Sequence, residues 1–134
     1  MAKKEFNFMG KSLEELQAME LSEFAKIVNA RARRSLERGF DKDLLKKIKK
    51  ASEEKKQGKE PKAIRTHKRD TIIIPSMVGI TMSVYRGNSF EIVEVKTEML
   101  GHYLGEMVLT RKKLSHGKAG IGATKSSTAI TARG

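Results

Sequence analysis

One stretch of this chain decides what it is able to fold into: residues 71–110, which carry only two basic and four acidic side chains. On either side the charge rises steeply. Residues 31–70 hold sixteen basic against seven acidic side chains, and residues 111–134 hold six basic and no acidic ones. Residues 1–30 are close to neutral, with four Lys and five Glu. Self-repulsion opposes compaction wherever one sign of charge dominates, so the apolar kernel belongs in the middle and the flanks are free to meet a polyanion. A formal charge of +12 on 134 residues points to nucleic acid or an anionic membrane surface. A solvated helix face normally mixes both signs, which describes residues 42–56 as well as a phosphate-binding face does; it does not describe 111–134.

Membranes are the weaker partner. No segment is long and apolar enough to span a bilayer, and the opening MAKKEFNFMGKSLEEL has no apolar core of signal-peptide length. The chain has no Cys, so disulfides and thiolate metal sites are excluded, in keeping with a reducing cytoplasm. Aromatics are 5% of the residues and Trp is absent, which argues against base stacking as the main mode of contact.

Local signals place the elements. Ser12 to Glu15 form a capping box that starts a short helix ending near Met19. Ser22, followed by Glu23, reads as a second N-cap, with Phe24, Ile27, Val28 and Leu36 in one helical run that stops at Gly39. Arg31, Arg33, Arg34 and Arg38 in its second half complement the negative helix end and equally suit a phosphate-facing patch. Asp41 or Asp43 starts a third helix with Leu44, Leu45, Ile48 and Ala51 as its apolar stripe. Residues 53–62 read as a flexible polar linker.

Beyond it the period changes. Thr71–Ile74 is a β-branched run stopped by Pro75 and reads as a central strand. One helical turn is expected from Pro75 to Gly79. Strands are expected at Thr81–Tyr85 and Ser89–Val95, joined by a tight Arg86-Gly87-Asn88 turn. Phe90, Ile92 and Val93 are the expected inward side chains of the last strand. Thr97 is the expected cap of a short helix through Leu104, with Gly101 and Gly105 on one side, where something packs against bare backbone. After Leu114 no apolar periodicity remains, and the basic tail is expected to be disordered.

The tail contains HGKAGIGATKSS, which invites a nucleotide-binding reading. A P-loop needs glycine where Thr124 and Ala119 stand, and the dinucleotide fingerprint needs one where Lys125 stands. Neither the strand before nor the helix after is present. The residue types instead suit a basic arm whose glycines allow close approach to phosphate. His67, His102 and His116 are scattered without metal-ligand spacing. No catalytic, metal or cofactor site is therefore expected, and the chain is read as a non-enzyme.

The segments THKRDTIIIP (66–75), MVG (77–79), Tyr85, Gly87, MLGHYLGE (99–106), Thr110-Arg111 and Ser115-His116-Gly117 follow one another in a series. It resembles the S-nineteen family of small-subunit ribosomal proteins over residues 64–127, most specifically at Gly101–Arg111. The additional N-terminal helices and GIGATKSS are similar to its archaeal and eukaryotic branch. The hairpin turn departs from the family pattern at Arg86 and Asn88, and the tail does so at Ala119.

The resemblance implies an α+β fold: a small three-stranded mixed sheet with flanking helices, an N-terminal helical extension over 1–62, a core over 63–114 and a disordered basic tail over 115–134. It implies a structural, cytoplasmic role on the head of the small ribosomal subunit, near the decoding region and an intersubunit bridge. Its partners there would be small-subunit rRNA and a neighbouring S-thirteen family protein, and the tail would reach toward tRNA. It marks Arg65, His67, Lys68 and Arg69, then Gly101, His102 and Gly105, then Thr110, Arg111 and His116 as RNA-facing. The charge argument adds Lys112, Lys113, Lys118 and Lys125. No homo-oligomer is expected, since no coiled-coil pattern occurs. The alternative is a free regulatory or chromatin-like nucleic-acid binder. A kernel below about 70–80 residues is seldom stable unaided, which favours a permanent partner.

Overall fold

Ser12 opens α1 (Leu13–Ala18) through the expected reciprocal box. Its Oγ accepts the Glu15 N–H at 3.4 Å, and Glu15 Oε2 accepts the Ser12 N–H at 2.9 Å. The computed structural model describes residues 6–113 and continues with α2 (Leu21–Ile27), α3 (Ala30–Glu37) and α4 (Lys42–Lys56). The single helix expected from Ser22 to Gly39 is therefore two, and Glu20 rather than Ser22 stands at the start of α2. Val28 and Asn29 leave helical geometry, with ψ of 167° and 159°. The Asn29 side chain then accepts the Ala32 N–H at 2.8 Å and restarts the helix. Arg33 closes the gap by donating from Nε to the Ala25 carbonyl and from Nη2 to that of Lys26, both at 3.3 Å.

Helix α4 follows its sequence signals. Asp41 Oδ1 accepts the Asp43 N–H at 3.0 Å, and Leu44, Ile48 and Ala51 are buried on its inner face. It extends through Glu53–Lys56, into the stretch expected to be linker, and Lys55 Nζ donates to the Gly79 carbonyl at 2.6 Å.

The sheet runs in the order β1 (Ile64–Thr66), β2 (Thr81–Tyr85), β3 (Phe90–Glu94), with β1 parallel and β3 antiparallel to β2. The α+β class and the mixed three-stranded sheet are as expected; the identity of the first strand is not. Thr71–Ile74 lies outside the sheet. It joins the 101–104 segment through the single Ile72–Tyr103 bridge and through three further bonds. These run from the Ile73 N–H to the His102 carbonyl (2.8 Å), from the Gly101 N–H to that of Ile73 (3.1 Å), and from the Leu104 N–H to that of Thr71 (2.9 Å). Ile72, Ile73 and Ile74 are all buried, so the β-branched run marks burial rather than a ladder. Its partner segment turns at Gly101 (φ +77°) and cannot extend a strand pair.

The hairpin turn holds Gly87 at φ +117° as its sequence requires. The inward side chains of β3 differ from expectation. Met82 and Val84 of β2 face the core, and the register sets Val93 opposite Met82, whereas Phe90 and Ile92 lie opposite Tyr85 and Ser83 on the other face, Phe90 half-buried and Ile92 70% exposed. The helix expected after Thr97 is two 3₁₀ turns, Thr97–Met99 and Leu104–Met107, separated by the Gly101 turn; the first has no side-chain cap. Gly101 and Gly105 therefore do not share a helix face.

One hydrophobic cluster joins these parts. Leu16, Phe24, Ile48, Ile73, Met77, Met82 and Leu104 are fully buried within it, and α1 and α4 both lie against Pro75–Met77. Each such side chain contributes about 1.5–3 kcal/mol by leaving water.

Candidate nucleic-acid interface

Strand β1 alternates, so Ile64 and Thr66 turn inward while Arg65 turns out. The Arg65 guanidinium lies 4.0 Å from the Phe90 ring centroid. His67 stands 4.6 Å from Tyr85 and 5.0 Å from Phe90, and the latter two rings are 5.2 Å apart. Two of the chain's few aromatic side chains, Tyr85 and Phe90, therefore meet a histidine and an arginine at one place.

Lys68 lies just beyond the strand, and its Nζ meets Asp41 Oδ2 at 2.7 Å. The Lys68 hydrogen bond and then the Asp43 N–H hold the Asp41 carboxyl below its ordinary value, and Asp41 in turn raises the Lys68 ammonium. Arg69 is half-buried. Its Nη1 donates to the Tyr85 carbonyl at 2.7 Å, and its Nη2 donates to those of Gly105 and Val108, both at 2.6 Å. This guanidinium fastens the end of β2 to the second 3₁₀ turn and to the chain leaving it.

The glycine pair has a similar internal use. A Cβ at Gly105 would stand 2.9 Å from the Arg69 carbonyl oxygen, and one at Gly101 would stand 3.4 Å from the Phe8 ring. The close approach expected from sequence is present, and the chain itself makes it. Between the two glycines, His102 Nδ1 is 2.6 Å from Glu106 Oε2, with both side chains about half exposed. Thr110, Arg111, Lys112 and Lys113 follow the last turn and are open to solvent. His116, Lys118 and Lys125 lie outside the described residues.

The sequence singled out the α3 arginines without assigning them to a site. Arg31, Arg34 and Arg38 share one face of α3 and its C-cap, opposite buried Ala32 and Leu36. They line a groove of about 780 Å³ together with Lys42, Lys68, Asp41, Asp70 and Tyr103. The N-terminus of the fifteen-residue α4 opens on the same groove and adds its positive helix end. Five cations against two carboxylates, at a helix N-terminus, suit phosphate oxygens. The run of like charge was visible in the sequence; its joining to Lys68 across the chain was not. Among the described residues no cluster of His, Asp or Glu is placed to hold a metal ion.

Comparison with known proteins identifies the family. The family described as Ribosomal protein S19 matches residues 32–116, a span that takes in Arg34 and Arg38 and begins just after Arg31. The chain is 50% identical over 124 residues to the small ribosomal subunit protein uS19 of Halorubrum lacusprofundi, covering 92% of this chain and 88% of that one. It is 47% identical, again over 124 residues, to that of Cenarchaeum symbiosum, covering 92% and 94%. The basic approach to β1, the hairpin and the glycine-bearing turns all fall inside the matched span, and the chain belongs to the ribosomal protein S19 family.

Proposed function

We propose that the chain is a structural, non-catalytic component of the small ribosomal subunit that binds small-subunit rRNA in the head, near the decoding region and the intersubunit bridge. The observation that carries this reading is the groove in which Arg31, Arg34 and Arg38 meet Lys42 and Lys68 at the start of α4. Family membership supports the ribosomal setting. Arg65, His67 and Lys68 stand at the surface beside β1, and Thr110 to Lys113 carry positive charge away from the fold. His116, Lys118 and Lys125 prolong that run in sequence and would serve the same RNA, with bound tRNA within reach of the tail. Arg69, Gly101 and Gly105 act indirectly, by fixing the frame on which the contacts stand; His102, exposed beside Glu106, is the group in that segment able to reach RNA. A neighbouring S-thirteen family protein and a cytoplasmic location belong to the same proposal.

Sucrose-gradient sedimentation of cell extract tests it. The chain should travel with small subunits and leave them only at high salt. A chain remaining at the top of the gradient in physiological buffer would favour a free nucleic-acid regulator instead.

A further inference from the structure

We infer that the open face of the sheet is a stacking platform for an unpaired nucleobase of single-stranded RNA. The inference rests on the RNA-binding reading above and adds a second mode of contact, separate from the α3 groove.

The face is defined by register. Met82 and Val84 point into the core, so their neighbours point out, and the pairing places Arg65 beside Ser83, Ser83 beside Ile92, and Tyr85 beside Phe90. Ile92 is 70% exposed, and Tyr85 and Phe90 are only half-buried. A sheet face that merely met water would be polar at these positions. This one carries the rings of Tyr85, Phe90 and His67 and the Ile92 side chain around Ser83, which is itself buried beneath them.

The rings are also held in place. The Tyr85 hydroxyl donates to the Gly87 carbonyl, the His67 ring stands edge-on to Phe90 at 80°, and the Arg65 guanidinium lies over the Phe90 ring. Rings so anchored lose little freedom on binding, and a guanidinium plane presents a further surface for stacking.

The charge beside the platform identifies the occupant. A trough of about 670 Å³ runs along β1 and is lined by Lys47, Lys50, Lys59, Lys62 and Arg65, with Glu54 and Glu60 at its side. Arg65 thus belongs both to the trough and to the platform. A cationic track for the backbone leading to aromatic faces for the bases is the arrangement that binds single strands. Paired bases of an A-form helix are stacked on one another and offer no free face, so the ligand is an unpaired nucleotide.

The test uses the full chain with two probes, a single-stranded oligoadenylate and an RNA duplex of equal length. In Tyr85→Leu and Phe90→Leu, oligoadenylate binding should weaken about 5- to 150-fold with an unchanged salt slope, while duplex binding stays as in the parent. In parallel, the unaltered chain bound to small-subunit rRNA is irradiated with ultraviolet light and its adducts are mapped by mass spectrometry. A nucleobase joined to Tyr85 or Phe90 is expected, and this arm needs no variant to fold. Adducts confined to other peptides, or variants that bind oligoadenylate like the parent, overturn the platform and leave the groove reading intact. A parent chain that binds neither probe overturns the RNA reading itself, and the platform with it.

Discussion

Arg69 commits its guanidinium to three backbone carbonyls that come from residues 85, 105 and 108. Truncating it leaves those acceptors without a charged donor, at a cost of about 2–3 kcal/mol, read as a lower denaturation midpoint in Arg69→Ala. Arg69→Lys should restore only part of this, because a single ammonium cannot span the fork. Lys68 and Asp41 form the other close pair at this site, and both are at the surface. The Asp41 carboxyl titrates below its ordinary value of 3.8, so its contribution is present above that pH and is lost as the pH falls through the depressed folded value. Lys68 is shifted the opposite way, above 10.5, and its share is lost only as the pH rises past the raised value. In Asp41→Asn the cap on α4 survives, since Asn caps as well as Asp. The variant should therefore keep its helix content while the acid limb of its stability profile, followed by circular dichroism, becomes shallower.

At the scale of elements, the break between α2 and α3 depends on Asn29. Asn29→Ala removes the acceptor for the Ala32 N–H and should destabilise the fold by about 0.5–2 kcal/mol, measured by chemical denaturation. What was legible in the sequence follows the range of the forces involved. The Ser12 box, the Asp41 start of α4, its apolar stripe and the Gly87 turn are set by residues within a few positions of each other, and each is where it was expected. The α2–α3 break was hidden because Phe24, Ile27 and Leu36 keep one period across it, although Asn29 is itself a cap residue. Strand β1 is three residues long inside a basic stretch and shows no alternation until β2 lies beside it. The Ile72–Ile74 run has the strongest β-propensity in the chain, yet its partner is a turn, and nothing local distinguishes a buried coil from a buried strand. The α3 groove and the aromatic face have the same history. Their members were visible singly, and only the pairing of distant segments brings them together.

For the whole molecule, the distribution of charge has a measurable consequence. Arg31, Arg34 and Arg38 are exposed, and so are Arg111, Lys112 and Lys113, so neither set should be needed for folding. Replacing either triplet with Ala should weaken binding to small-subunit rRNA. It should also flatten the dependence of log K on log salt by up to about 0.9 for each duplex phosphate no longer neutralised. Titrations at several salt concentrations read this directly, and a slope unchanged by both replacements would remove the electrostatic basis of the interface. The Arg69 fork, finally, bears on how the protein is made. Its acceptors all lie C-terminal to it, the last at Val108, so the fork cannot close while the nascent chain is still short. Until residue 108 has emerged, the end of β2 cannot be clasped to the segment that follows Gly105, so this join is among the later ones open to the growing polypeptide.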